Sequence, residues 1–114
     1  MTRTTDSPPA EPISLENAAA FDDHVSRYDV VLVDFYADWC GPCQMMKPSI
    51  ESVAADTDAA VLTVDVDRFQ SLANQYGVQG IPTLLVFASG ELTNRMVGAQ
   101  TEGTLRESIE VQLE

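Results

Sequence analysis

The sequence predicts an α/β domain with a central mixed sheet, a βαβ unit followed by a ββα unit, flanked by helices on both faces. Three observations predict it. Val30–Tyr36 is apolar on both alternating faces, apart from Asp34, which is the pattern of a central strand covered on both sides, and Val61–Val66 reads as another buried strand. Between them, Met46, Ile50 and Val53 recur at helical spacing, so strand, helix and strand make a right-handed parallel crossover. Downstream, Thr83–Ala88 and Leu92–Val97 flank Ser89–Gly90 and read as an antiparallel hairpin.

The elements follow in chain order. Residues 1–11, rich in Thr, Ser and Pro, read as a flexible N-terminal tail, and residues 12–114 as a single domain. A short first strand is expected near Ile13. Ser14 is expected to cap a helix in which Ala18, Phe21, Val25 and Tyr28 recur at spacings of 3, 4 and 3. The second helix should run from Cys40 to about Ala55, kinked at Pro48. Asp67 is expected to cap a third helix with the stripe Phe69, Leu72, Ala73 and Tyr76, ended by Gly77. Thr101 should cap a last helix carrying Leu105, Ile109 and Leu113.

Composition narrows the function. The chain has 114 residues, one ordinary domain, with 45% hydrophobic and 21% charged residues, which is globular composition. No apolar run approaches the ~18 residues of a membrane span. Eighteen acidic residues against six basic ones leave a net charge of −12. That disfavours nucleic acid, whose binding relies on neutralising phosphates, and anionic membranes. The N-terminus has no apolar signal region, so a cytoplasmic chain is expected. Two explanations fit the acidity. One is a very salty cytosol, where a Debye length of about 3 Å at 1 M salt screens self-repulsion. The other is an acidic patch matched to basic partners. Lys47 is the single lysine among the six cations, which favours the first.

The chemistry centres on Trp39-Cys40-Gly41-Pro42-Cys43, at the junction of a strand and a helix. Cysteines at i and i+3 of a helix have Cβ atoms ~5–6 Å apart, close to what a disulfide accepts. Cys40 falls at the helix N-terminus, where free amides and the dipole favour an anion. An ordinary thiol is only about 3% thiolate at neutral pH, and lowering its pKa by ~1.5 units makes roughly half of it reactive. Pro42 suits the first helical turn and stiffens the loop. Rival readings are weaker. A staple closing so short a loop stabilises by only about 2 kcal/mol. Zinc needs four ligands, and His24 is the only nitrogen donor left. Covalent haem needs His where Gln44 stands. Two thiolates suit a soft metal such as Cu(I), but no Met precedes Cys40 within the loop. No metal or other cofactor is expected, and no nucleotide-binding glycine motif is present.

Residues Val33 to Cys43 (VDFYADWCGPC), then Gly80-Ile81-Pro82-Thr83 and Val97-Gly98-Ala99, resemble the thioredoxin family over roughly residues 12 to 113. The resemblance implies a thioredoxin fold and a thiol–disulfide oxidoreductase that reduces disulfides in target proteins through a reversible Cys40–Cys43 pair. It implies Cys40 as nucleophile and Cys43 as the resolving thiol, with a separate thioredoxin reductase restoring the dithiol, and a monomer. Gly-Pro between the cysteines is similar to the reducing members. The competing class is a redox-independent binding subunit built on the same fold.

The supporting residues divide similarly. Asp34 interrupts an apolar strand six residues before Cys40, so burial should raise its pKa. From the residues alone it is as readily structural as catalytic; the resemblance implies a carboxylate that accepts or relays the Cys43 proton. Many relatives carry Lys on the strand beside it, where this chain has Thr63. X-Pro statistics favour a trans bond before Pro82, about 5–6% being cis; the resemblance implies cis, facing the dithiol, with the Ile81 backbone pairing an extended target. Trp39, beside an exposed dithiol, reads as contact surface. Gly41 and Pro42 complete that loop. Gly80 and Gly98 give a target backbone room to approach. Gln44 replaces a basic residue common in relatives, leaving the helix terminus as the main activator of Cys40. Of the adjacent Met45 and Met46, at most one can face the core.

Overall fold

The computed structural model describes residues 6–113. Five strands, β1 (Ile13–Ser14), β2 (Val30–Tyr36), β3 (Ala60–Asp65), β4 (Thr83–Ala88) and β5 (Glu91–Val97), form one sheet in the order β1-β3-β2-β4-β5. The pairings β1–β3 and β3–β2 are parallel, and β2–β4 and β4–β5 antiparallel. Four helices, α1 (Phe21–Arg27), α2 (Gly41–Asp56), α3 (Gln70–Gln75) and α4 (Glu102–Leu113), cover it. This is the expected mixed sheet, with the βαβ unit running β2-α2-β3 and the hairpin β4-β5 leading into α4.

Strand alternation sorts the core into two layers. Val31, Val33 and Phe35 pack with Phe21, Val25, Leu72, Leu85 and Phe87 on the α1/α3 side. Val30 and Leu32 pack with Met46, Ile50, Val53, Leu84, Leu105 and Ile109 on the α2/α4 side. The same parity puts Asp34 on the α2 side, under the start of that helix. In register, Asp34 stands between Thr63 of β3 and Leu84 of β4. Met46 is buried and Met45 is 84% exposed, as adjacent helical positions require.

Several boundaries differ from expectation for local reasons. Ser14 does not cap a helix, because β1 claims it by pairing with Thr63. Asn17 takes that role instead, accepting from the Ala19 amide at 2.9 Å ahead of the short 3-10 turn Ala18–Ala20. Asp67 does not cap α3; Phe69 holds that position without a side-chain bond. Thr101 does cap α4, accepting the Thr104 amide at 3.1 Å. Leu113, at the open end of α4, is 39% exposed and outside the core. The strand expected at Val61–Val66 runs one residue earlier. Ser89 and Gly90, at φ 52° and 82°, make the two-residue turn whose twist suits a hairpin.

Part of the expected tail lies outside the described residues. Residues 6–11 contain no helix or strand, and the Asp6 amide donates to the Arg27 carbonyl at 3.0 Å. Arg106 joins the helices of one face, bonding Glu102 on α4 and Asp56 at the end of α2.

Ile109 is fully buried between α4 and the sheet. Ile109→Ala is expected to cost about 2–5 kcal/mol, read as a lower urea midpoint at constant slope. Val111→Ala, two residues on and 55% exposed, should stay within about 0.5 kcal/mol.

Candidate active site

β2 ends at Tyr36, and the chain turns through Ala37–Trp39 to enter α2. The turn closes by a bond from the Cys40 amide to the Ala37 carbonyl at 3.1 Å. Cys40 is the N-cap of α2, in extended backbone (φ −85°, ψ 108°). Its sulfur accepts the Cys43 amide at 3.2 Å, the position where a capping oxygen normally sits. Pro42 lies in the first turn, where its missing N–H leaves nothing unpaired. Cys40 and Cys43 form a disulfide with Cα atoms 5.3 Å apart. The terminus that satisfies an amide with sulfur also stabilises negative charge on that sulfur once the bond is reduced.

The disulfide is not exposed, contrary to the expectation behind the reading of Trp39. Cys40 and Cys43 are 4% and 5% exposed, packed with Ala37 and against Tyr36, Val66 and Ile81. What faces solvent is the rim: Trp39 is 71% exposed, and Gly41, Pro42 and Gly80 are open. The Ile81–Pro82 bond is cis, as the resemblance implied and statistics did not. The Ile81 carbonyl lies 3.9 Å from Cys40 Sγ. Gly98 (φ 92°) donates its amide to the Pro82 carbonyl at 2.8 Å, bringing the end of β5 beside this loop. A Cβ at Gly80 would meet only Val97, at 3.9 Å, so this rim is open to an approaching chain.

Asp34 is 5% exposed, and its Oδ1 has no hydrogen-bond partner. Burial raises its pKa from 3.8 to about 7. Asp34 and Cys43 line one open cleft of about 710 Å³ between α2, β2, β3 and the segment before β1. The Tyr36 hydroxyl, on the same cleft, is held above its ordinary pKa by burial, then by Asp65, Asp38 and Asp34, against Arg68. The region is electronegative.

Two features were not legible in the sequence. Asp67 accepts the Trp39 indole N–H at 2.8 Å, tying the loop before α2 to the one after β3 across 28 residues. Lys47, Glu51 and Glu11 reach the Asp34 cleft from α2 and the N-terminal segment. No spacing rule links positions so far apart. Among the described residues, no group of His, Cys, Asp and Glu is placed to hold a metal ion.

Comparison with known proteins agrees with this geometry. Residues 12–111 match the family described as Thioredoxin. A thioredoxin of Staphylococcus saprophyticus is 46% identical over 95 residues, covering 82% of this chain and 90% of that one. A solved mutant thioredoxin from Halobacterium salinarum superposes with a TM-score of 0.91 at 50% identity, covering 96% of each chain. The oxidised mitochondrial thioredoxin 3 of Saccharomyces cerevisiae gives 0.79 at 31% identity, covering 88% of this chain and 94% of that one.

The Asp34 shift has a consequence for stability. Its pKa is near 3.8 when unfolded and about 7 when folded, so between these values the native state holds the extra proton. Stability of the oxidised protein should therefore fall as pH rises from about 4 to 7, then level off. The full span corresponds to roughly 4 kcal/mol. Asp34→Asn is expected to flatten this dependence and to raise the urea midpoint at pH 8. A variant no more stable than the parent at pH 8 contradicts the assignment.

Proposed function

The chain belongs to the thioredoxin family and is a thiol–disulfide oxidoreductase with a redox-active Cys40–Cys43 disulfide, and from that premise we propose how its residues divide the reaction. The observation that carries the division is the bond from the Cys43 amide to Cys40 Sγ at the cap of α2. In the reduced protein this terminus holds Cys40 as thiolate. Cys40 attacks one sulfur of a target disulfide; a Cys40–target bond forms, the target bond breaks, and its other sulfur leaves as thiolate. Cys43 gives its proton to the Asp34 carboxylate and attacks Cys40 Sγ. The Cys40–Cys43 bond closes, the second target thiolate leaves, and two electrons have passed to the target. Asp34, with a pKa about 7, suits a base at neutral pH.

The target lies on the rim formed by Trp39, Gly41, Pro42, Gly80, Ile81 and Gly98, with the buried Pro82 beneath it. The Ile81 backbone pairs it as an added strand. Because the disulfide is sheltered, a target must seat on the rim to reach it. The partners are disulfide-bearing proteins and a separate thioredoxin reductase; the protein works as a cytoplasmic monomer without a bound cofactor. The working domain is 12–114, preceded by the N-terminal tail 1–11, whose Glu11 borders the cleft beside Cys43. No helix among the described residues is long and apolar enough to cross a membrane. The charge of −12 with a single lysine is read as adaptation to a salty interior.

Cys40→Ser should abolish reduction of a protein disulfide, and Cys43→Ser should accumulate the mixed disulfide on non-reducing gels. Asp34→Asn should slow its resolution at pH 7 by about tenfold or more, within the range of general-base catalysis. Equal turnover in parent and Asp34→Asn removes the relay role. A Cys40→Ser, Cys43→Ser double variant that keeps the cellular role favours the binding-subunit alternative.

The melting temperature should climb as KCl is raised from 0.1 M to molar levels, because the Debye length shrinks from ~10 Å to ~3 Å. A salt-indifferent melt removes the high-salt reading.

A further inference from the structure

We propose that the cleft beside Cys43 receives a basic side chain of the disulfide target, so that the partner supplies the cation that faces Asp34. The inference rests on the reading of Cys40 and Cys43 as the reacting pair.

Three observations carry it. Asp34 is buried, and Oδ1 has no hydrogen-bond partner. Its parallel neighbour in register is Thr63, an uncharged residue whose hydroxyl is directed to the Ile13 carbonyl at 3.4 Å. A carboxylate needed in its charged form has no cation on the adjoining strand.

The second observation is the lining of the cleft. Asp34 and Cys43 share its wall with Glu11, Asp38 and Glu51, against one ammonium, Lys47. Three exposed carboxylates around one cation attract a further cation rather than an anion. At about 710 Å³ the cleft is of the size that takes small ligands, and it accommodates one long side chain. A guanidinium fits best, since its fork can bond two carboxylate oxygens at once.

The third is continuity with the reacting face. Asp38, in the loop before Cys40, and Gln44, in the first turn of α2 after it, both line the cleft, and Gln44 Nε2 donates to the Asp38 carbonyl at 3.4 Å. A target seated on the disulfide rim can therefore extend a side chain into the cleft.

The chemistry is coupled to docking. A cation beside Asp34 favours its ionised form. The base then becomes ready to take the Cys43 proton while the mixed disulfide is present. The charged groups around Asp34 on this cleft are Glu11 from the N-terminal segment, Asp38 from the catalytic loop, Lys47 and Glu51 from α2, with the Tyr36 hydroxyl and Cys43 thiol as further titratable groups.

The test uses the reduced full chain and disulfide-bridged peptides, identical except for Arg or its neutral isostere citrulline. The variable residue is placed in turn at each position flanking the reactive cysteine, at fixed ionic strength. At its best position the Arg peptide should be reduced roughly fivefold or more faster than the citrulline peptide. With Arg, resolution of the mixed disulfide should have its pH midpoint at lower pH. In Glu11→Gln/Glu51→Gln the Arg-to-citrulline ratio should fall below about two. Both substituted residues are exposed, so the variant is expected to fold. Equal rates for the two peptides overturn the inference. So does a ratio that survives in the double variant, since that reports attraction to the whole acidic surface. Free guanidinium at millimolar concentration that lifts the citrulline peptide to the Arg rate also overturns it, because the cleft then takes a free cation. Failure of the underlying reading looks different: neither peptide would be reduced in a Cys40-dependent way.

Discussion

A sulfur atom occupies the place of a helix-capping oxygen, and most of the molecule serves to keep it there. Cys40 caps α2 only because β2 ends at Tyr36 and the chain turns back within a few residues. That junction is held from below by a central strand paired on both sides. The amide that reaches Cys40 Sγ belongs to Cys43, the residue bonded to it in the disulfide. One helical turn thus holds both sulfurs in a single local geometry, at the end where negative charge is favoured.

The fold carries a cost at the same place. Asp34 interrupts the most deeply buried strand, and its carboxyl is more at home neutral than charged. An apolar residue there would stabilise the protein. Keeping the acid costs stability and leaves a carboxyl that changes charge near neutral pH. Its setting is unlike that expected for relatives, since Thr63 and not a lysine adjoins it. The charge around it instead comes from Glu11, Asp38, Lys47 and Glu51, spread over three parts of the chain.

The surface divides into a sheltered bond and an open rim. The disulfide is covered, while Trp39, Gly41, Pro42 and Gly80 around it face solvent. The bond from Trp39 to Asp67 fixes one side of that rim, and the Gly98 amide on the Pro82 carbonyl fixes the other. Both connect residues from different strand–loop junctions at one end of the sheet, so the rim is a property of the sheet's edge geometry rather than of any one loop.

By itself the sequence determined the architecture and the reacting pair. Alternating and helical periodicities are local, and they placed β2, α2, β4, α4 and the hairpin turn to within a residue or two. Cys40 and Cys43 were legible because i and i+3 spacing at a helix start is itself a geometric statement. Asp34 was legible as an anomaly, a charge in a buried strand. The cis bond before Pro82 was implied only by resemblance, since local statistics point the other way. Caps were misplaced at Ser14 and Asp67 because strand pairing claimed the first and Trp39 the second. Tertiary structure alone decided that the disulfide is sheltered, that Asp34 Oδ1 is left without a partner, and that Glu11, Lys47 and Glu51 share its cleft. These depend on which elements pack together across the sheet, and a packing partner dozens of residues away leaves no periodic mark in the chain.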